Sequence, residues 1–179
     1  MTAKLVQLIS QQSIAETVKR LAQELDRDYR DRTPIVIGVL KGSFIFLADL
    51  IRQMQTPIQL VELIKLSSYG SGTVSSGKVQ MEMGAPAAVI AGQDIIVVED
   101  IVDTGLSTTK AFQVLSGYEP KSLKLCALLD KPDRRKVPVA IDYLGVTIPD
   151  KFIVGYGIDF DERYRQLPDI YTLESPTEL

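Results

Sequence analysis

Apolar positions along the chain switch between a helical and a strand-like spacing, and the order of the switches predicts a fold class. Ile14, Val18, Leu21, Ala22 and Leu25 recur every three or four residues, and Ser13 with Glu16 reads as a capping box. A first helix is therefore expected from about Ser13 to Tyr29. Three apolar runs without helical period follow, Pro34 to Leu40, Ile95 to Val98 and Ser122 to Leu129, and a further strand is expected from Ile58 to Leu66. Continuous Ile, Val and Leu of this length is the pattern of strands buried on both faces of a parallel sheet. Ser43 to Met54 is expected as a helix with Phe44, Leu47, Ala48 and Ile51 inward, and Ser107 to Leu115 as another with Ala111, Val114 and Leu115 as its apolar stripe. Lys78 to Met83 alternates with period two and reads as a strand, with shorter strands near Ile141 to Val146 and Phe152 to Gly155. The polar tail from Glu174 to Leu179 is expected to fray. No internal repeat or linker interrupts the series. The pattern predicts one α/β domain over residues 1–179, a mostly parallel twisted sheet flanked by helices, with a small hood lobe from the two chain ends.

The strand from Ile95 should end at Glu99, so that Glu99 and Asp100 emerge together at a strand's carboxyl end, where open α/β sheets keep their ligand crevice. Asp103 follows at once, and Thr104, Gly105, Leu106, Ser107 and Thr108 then open a helix whose N-terminal amides suit an anion. An acid pair followed by a phosphate cradle matches a ribose 5-phosphate. The carboxylates accept from vicinal hydroxyls, directly or through Mg²⁺, while the turn holds the phosphate. Leu40-Lys41-Gly42-Ser43 again ends a strand and opens a helix, which brings Lys41 and the following amides to the same crevice. Lys131 sits likewise just past the strand that ends at Leu129.

Composition narrows the chemistry further. A chain of 179 residues with 45% apolar side chains buries roughly 70% of its unfolded surface in one core. With no histidine and a single cysteine, Cys126, no disulfide, Ser-His-Asp triad, Cys-His dyad or ordinary zinc site can form within one chain. Acid–base work falls to Asp, Glu, Lys or Tyr, and a metal would need oxygen ligands, which suits Mg²⁺ carried on a phosphorylated substrate. Net charge of −3 argues against a nucleic-acid surface, and no apolar run is long enough for a membrane span or signal peptide. A soluble, cytoplasmic protein is expected. Gly72 to Lys78 spells a P-loop, but Val79 replaces the metal-binding hydroxyl and a strand follows instead of a helix, so that reading is rejected. The surrounding Ser/Gly-rich stretch leaves open a hairpin tip or a lid in which Ser68 and Tyr69 fold over substrate.

The segment from Asp94 to Thr109 resembles the phosphoribosyl diphosphate (PRPP) motif of the type I phosphoribosyltransferase family. Taken with Leu-Lys-Gly-Ser, Ser-Ser-Tyr-Gly-Ser-Gly, Leu-Asp-Lys-Pro and the stretch from Pro149 to Arg165, the chain from about Ile35 to Pro168 is similar to the hypoxanthine(-guanine) branch of that family. The resemblance implies transfer of phosphoribose from PRPP to a 6-oxopurine in purine salvage, with Mg²⁺, in a homo-oligomer (dimer or tetramer). It implies that Glu99 and Asp100 bind ribose hydroxyls and a Mg²⁺, that residues Thr104 to Thr108 bind the 5-phosphate, and that Asp103 is the general base. Lys41 and Gly42, after a non-proline cis peptide, would contact diphosphate with Arg165. Lys131 would donate to purine O6, Phe152 stack on the ring, the Ile153 carbonyl accept from guanine's amine, and Asp159 help to hold a second Mg²⁺ through water. Ser68 and Tyr69 would belong to a lid over about residues 67–78.

Because aspartate is a weak base in water, Asp103 either gains basicity from the site or serves as an anionic acceptor, and both stay open. A phosphoribosyltransferase for xanthine or a pyrimidine is an alternative. So is an RNA-binding regulator on the same fold, for which the only dense basic cluster is Lys131 to Lys136.

Overall fold

The computed structural model describes residues 4–68 and 79–174. The chain opens with β1 (Lys4–Ile9) and α1 (Gln11–Asp28), followed by β2 (Ile35–Leu40), α2 (Phe44–Gln53), β3 (Leu60–Ser68) and β4 (Val79–Glu82). A short α3 (Ala87–Ile90) precedes β5 (Asp94–Val102), α4 (Leu106–Ser116) and β6 (Ser122–Asp130). After a 3₁₀ turn at Pro132–Arg134 come β7 (Tyr143–Thr147), β8 (Ile153–Val154) and β9 (Ile170–Glu174). The main sheet has the order β4-β3-β2-β5-β6-β7 and is parallel from β3 to β7, with β4 antiparallel at one edge.

Successive side chains of the central strands go to opposite faces, as strand geometry requires. Val36, Ile96, Val98, Cys126 and Leu128 pack under α1 and α2, while Ile35, Ile37, Ile95, Val97, Leu125 and Ala127 pack with Ile90 of α3 and Ala111 and Leu115 of α4. Both faces are therefore dry, which is why these strands read as unbroken apolar runs. Each fully buried Ile, Val or Leu among them contributes about 1.5–3 kcal/mol.

Helix α1 buries Ile14, Val18, Leu21, Ala22 and Leu25 as its spacing demands, but its N-cap is Ser10, whose hydroxyl accepts from the Ser13 amide at 3.2 Å. The box at Ser13 and Glu16 is thus one turn too late. Helix α2 buries Phe46, Leu47 and Leu50, whereas Phe44 is 43% exposed and Ala48 faces solvent. The run Phe-Ile-Phe-Leu-Ala-Asp-Leu-Ile is apolar nearly all round, so periodicity alone cannot set its phase. Strand β5 continues past Glu99 to Val102 because β6 accompanies it that far, through pairs Glu99↔Ala127, Ile101↔Leu129 and Val102↔Asp130. On its other side β2 leaves after Gly38↔Val98.

A second sheet, β1-β9-β8, joins the two ends of the described chain, with Lys4 opposite Glu174 and Ile153 opposite Thr172. Glu174 is paired rather than frayed, and residues 175–179 lie outside the described part. Ile153, Tyr156, Ile158 and Ile170 join the α1/α2 side of the core, which docks this hood on the main sheet.

Candidate active site

The chain leaves β2 for β3 on one side and β5 for β6 on the other, so the strand order reverses between β2 and β5. Ligand crevices of open α/β sheets lie at the carboxyl edge of such a switch point. Lys41 to Ser43 stand past β2, Asp103 to Gly105 past β5 and Lys131 past β6. Because β2 has peeled away beyond Val98, the last part of β5 has an open flank, and the acid pair sits there. Consecutive strand residues point oppositely, so the two carboxylates do not share a face. Glu99 turns toward α4, where Thr108 donates its hydroxyl to Oε2 at 2.8 Å. Asp100 turns toward Gly42, where a methyl group would collide with its carboxylate. The acid pair is thus split, Glu99 against the start of α4 and Asp100 against the Lys41-Gly42 turn. The Leu40-Lys41 peptide is cis.

Gly105 adopts φ +81° as N-cap of α4, and a Cβ there would strike the Val137 carbonyl. Only glycine makes that turn without strain. The first helical bond is Thr109 N–H to the Gly105 carbonyl at 2.9 Å, so the amides ahead of it are turned to the crevice. Leu106 and Ser107 are exposed, and the Leu106 amide meets the Thr104 hydroxyl at 3.4 Å. Thr108, by contrast, is buried with its hydroxyl committed to Glu99, which leaves only its amide for an anion.

Burial governs the charges. It raises Glu99 from 4.5 to about 7 against the Thr108 hydrogen bond, with the Asp100 charge adding to the rise. Asp100 is raised to about 6, again by burial, while backbone amides and Arg165 pull it down and Asp159 pushes it up. Lys131 is 4% exposed, and burial lowers its proton affinity against the opposing fields of Asp103 and Asp150. Glu99 Oε1 and Asp103 Oδ1 are buried without a hydrogen-bond partner among the described residues; Arg134 Nε stands 3.4 Å from the latter, unaligned for a bond. Arg165 donates from Nη1 to the Gly157 carbonyl at 2.8 Å and meets Asp159 Oδ1 through Nη2 at 2.8 Å. No three acidic, cysteine or histidine side chains cluster closely enough to hold a metal among the described residues, so Glu99, Asp100 and Asp159 do not form one cage.

At the hood side Phe152 is 50% exposed and meets Phe160 edge to face, with ring centroids 5.2 Å apart. Leu173 N–H donates to the Phe152 carbonyl at 2.9 Å, which makes Phe152 and Leu173 a hydrogen-bonded pair. The next pair, Ile153 and Thr172, is then a non-bonded one, and the Ile153 carbonyl turns away from β9 at the open edge of the hood sheet. Ser68 ends β3, while Tyr69 and residues 70–78, the rest of the expected lid and the P-loop-like run, lie outside the described residues.

Comparison with known proteins decides what this constellation belongs to. Residues 6–161 match the family model described as a phosphoribosyl transferase domain. The chain belongs to the phosphoribosyltransferase family. It is 43% identical over 167 residues to the hypoxanthine-guanine phosphoribosyltransferase of Bacillus subtilis (strain 168), covering 93% of this chain and 92% of that one. It is 41% identical over 163 residues to the hypoxanthine phosphoribosyltransferase of Salmonella typhimurium, covering 90% of each. Among solved structures, a hypoxanthine-guanine phosphoribosyltransferase from Bacillus anthracis, crystallised with HEPES in the active site, superposes with a TM-score of 0.87 at 44% identity, covering 97% of this chain and 100% of that one.

Several residues of this phosphoribosyltransferase domain escape a reading of the sequence. Arg135 donates to the Asp103 and Val102 carbonyls at 3.0 and 3.2 Å and pairs with Asp130, so it pins the turn after β5 to the end of β6. Arg134 reaches Asp103 and Asp150, 3.4 and 3.8 Å away. Within the basic cluster from Lys131 to Lys136, Lys131 and Arg135 are thus turned inward, while Arg134 and Lys136 stay exposed. Phe160 and Glu162 were masked by their setting in a charged loop. The aromatic spacing Phe152, Tyr156, Phe160 was the one available signal.

Proposed function

We propose that the protein transfers the 5-phosphoribosyl group of PRPP to hypoxanthine, guanine or both, giving IMP or GMP and diphosphate. The observation that carries this reading is the convergence at neighbouring strand ends of the acid pair, the amide-lined start of α4 and the buried Lys131. The α4 turn then takes the 5-phosphate, Glu99 and Asp100 the ribose, and the Lys41-Gly42 amides with Arg165 the diphosphate. Mg²⁺ carried on the diphosphate would neutralise its charge, and the donors at hand, Glu99 with its unpartnered Oε1, Asp100 and Asp159, are the oxygen ligands it prefers.

The C1–oxygen bond to diphosphate breaks as the bond from C1 to N9 of the base forms, and the base loses its imidazole proton. Asp103 faces N7 of the base, the nitrogen that loses the proton, as acceptor. Lys131, made a readier donor by its burial, polarises O6, and the Phe152 ring with the Ile153 carbonyl holds the other side of the base. The exposed apolar side chains Phe44, Val61 and Leu63 suit the expected homo-oligomer, and a cytoplasmic location suits the free, buried Cys126.

A panel of bases with PRPP tests the reading. Hypoxanthine and guanine react, and adenine is used at least about 100-fold less well, because its amino group meets a donor and leaves a buried ammonium unpaired. Lys131→Ala lowers kcat/KM for hypoxanthine about 10- to 100-fold and for adenine far less. Equal use of adenine and hypoxanthine by the unmodified protein would overturn the assignment. Gly42→Ala is expected to displace Asp100 and lower kcat/KM by about 10²-fold, since small misplacements at a reacting centre cost that much. Steady-state rates beside a thermal melt separate this from unfolding.

A further inference from the structure

Glu162 lies between Arg165, assigned above to the diphosphate, and the ammonium of Lys41, whose backbone amide shares that assignment. Its Oε1 accepts from Lys41 Nζ at 2.9 Å and its Oε2 from Arg165 Nη2 at 3.1 Å. Its amide donates to Asp159 Oδ2 at 2.9 Å, which anchors the backbone while the carboxylate reaches across. Left-handed backbone at Asp161, Glu162 and Tyr164, with φ of 52°, 59° and 75°, folds this loop back so that Glu162 and Arg165 stand side by side. The Lys41 hydrogen bond, reinforced by Arg165, holds the Glu162 carboxyl below its ordinary range, so it is an anion at neutral pH.

We propose that Glu162 is an internal competitor of diphosphate, a carboxylate that occupies the Lys41 and Arg165 cations in the free protein, yields them to the incoming diphosphate group, and returns as diphosphate leaves. This rests on the reading that the Lys41 turn and Arg165 take the diphosphate. Of the Arg165 donors, Nη1 is committed to the Gly157 carbonyl and Nη2 is shared between Asp159 and Glu162. Asp159 is tied down by the Glu162 amide, so the contact with the Glu162 side chain is the exchangeable one. The side chains of Lys41 and Glu162 are 58% and 65% exposed, and pairs of that kind are weak. A weak, charge-matched contact is what a placeholder requires, since it screens the cations without blocking a multiply charged ligand.

Inorganic diphosphate titrated calorimetrically into the full chain tests the inference, using the natural protein, Glu162→Gln and Arg165→Gln. Glu162→Gln keeps the backbone anchor and a similar shape while removing the charge. It is expected to bind diphosphate about two- to tenfold more tightly, and product inhibition by diphosphate should strengthen by the same factor. Arg165→Gln is expected to bind it more weakly. Unchanged or weaker binding in Glu162→Gln, with a clear loss in Arg165→Gln, overturns the competitor role and leaves the diphosphate assignment standing. If Arg165→Gln also binds as the natural protein does, the assignment beneath the inference falls.

Discussion

Asp103→Asn is expected to lower kcat by on the order of 10² to 10⁴ while leaving PRPP affinity nearly unchanged. Asp103 is the first residue past β5, between the acid pair proposed for the ribose and the turn proposed for the phosphate. Its carbonyl is fixed by Arg135 and its carboxylate is approached by Arg134, which sets its position independently of substrate. Asparagine preserves shape and keeps one oxygen, so the turn should survive. What is lost is the negative charge and the capacity to take a proton from the base. The variant's Asp103 Oδ1 counterpart faces the same orphaned setting, and the thermal midpoint should move little. Single-turnover rates beside PRPP titrations check the split: unchanged turnover would remove Asp103 from the chemistry, and lost PRPP affinity would make it a binding residue.

Glu99→Gln is expected to stabilise the free protein in a pH-dependent way while weakening its hold on PRPP. Burial raises the Glu99 carboxyl from 4.5 to about 7 in the fold. Between those values the folded chain keeps a proton that the unfolded chain has released. The favourable contribution of the protonated acid is complete below pH 4.5 and is lost as pH rises through 7. At pH 8 the natural protein therefore carries a buried, half-satisfied anion that glutamine does not, a difference on the order of 3 kcal/mol. Denaturant melts of the free protein should coincide for the two near pH 4, diverge between about pH 4.5 and 7, and keep a constant gap above that. Asp100, raised to about 6 and coupled to Glu99, broadens the transition. A constant gap at every pH would mean that glutamine acts through packing instead. Stability forfeited at a binding site is a common exchange for function, and here it is placed on the two acids assigned to ribose.

Much of this arrangement was legible in the residues. The apolar runs that form β2, β5 and β6 could only be strands covered on both faces, and the buried set of α1 follows from its spacing alone. The stretch from Glu99 to Thr108 announced an acid pair and a helix opening just past Gly105 because both are local features, set by neighbouring residues on one strand and one turn. Where local signals were ambiguous the reading slipped. Helix α2, apolar around its circumference, was turned to bury Phe46 and Leu50 by the hood and sheet that pack on it.

Long-range pairing lay beyond any pattern. Lys4 meets Glu174 across the described chain, and Ile153 meets Thr172 on the other side of β9, which leaves the Ile153 carbonyl at the open edge of the hood. Spacing told which residues turn inward within an element, because period and burial are coupled residue by residue. It could not tell that β2 would part from β5 at Val98, that β5 would run on to Val102 and so set Glu99 and Asp100 on opposite faces, or that Glu162 would come to rest on Lys41. Those outcomes depend on which distant elements share a boundary, and only the packed sheet, with its strand order and register, decides that.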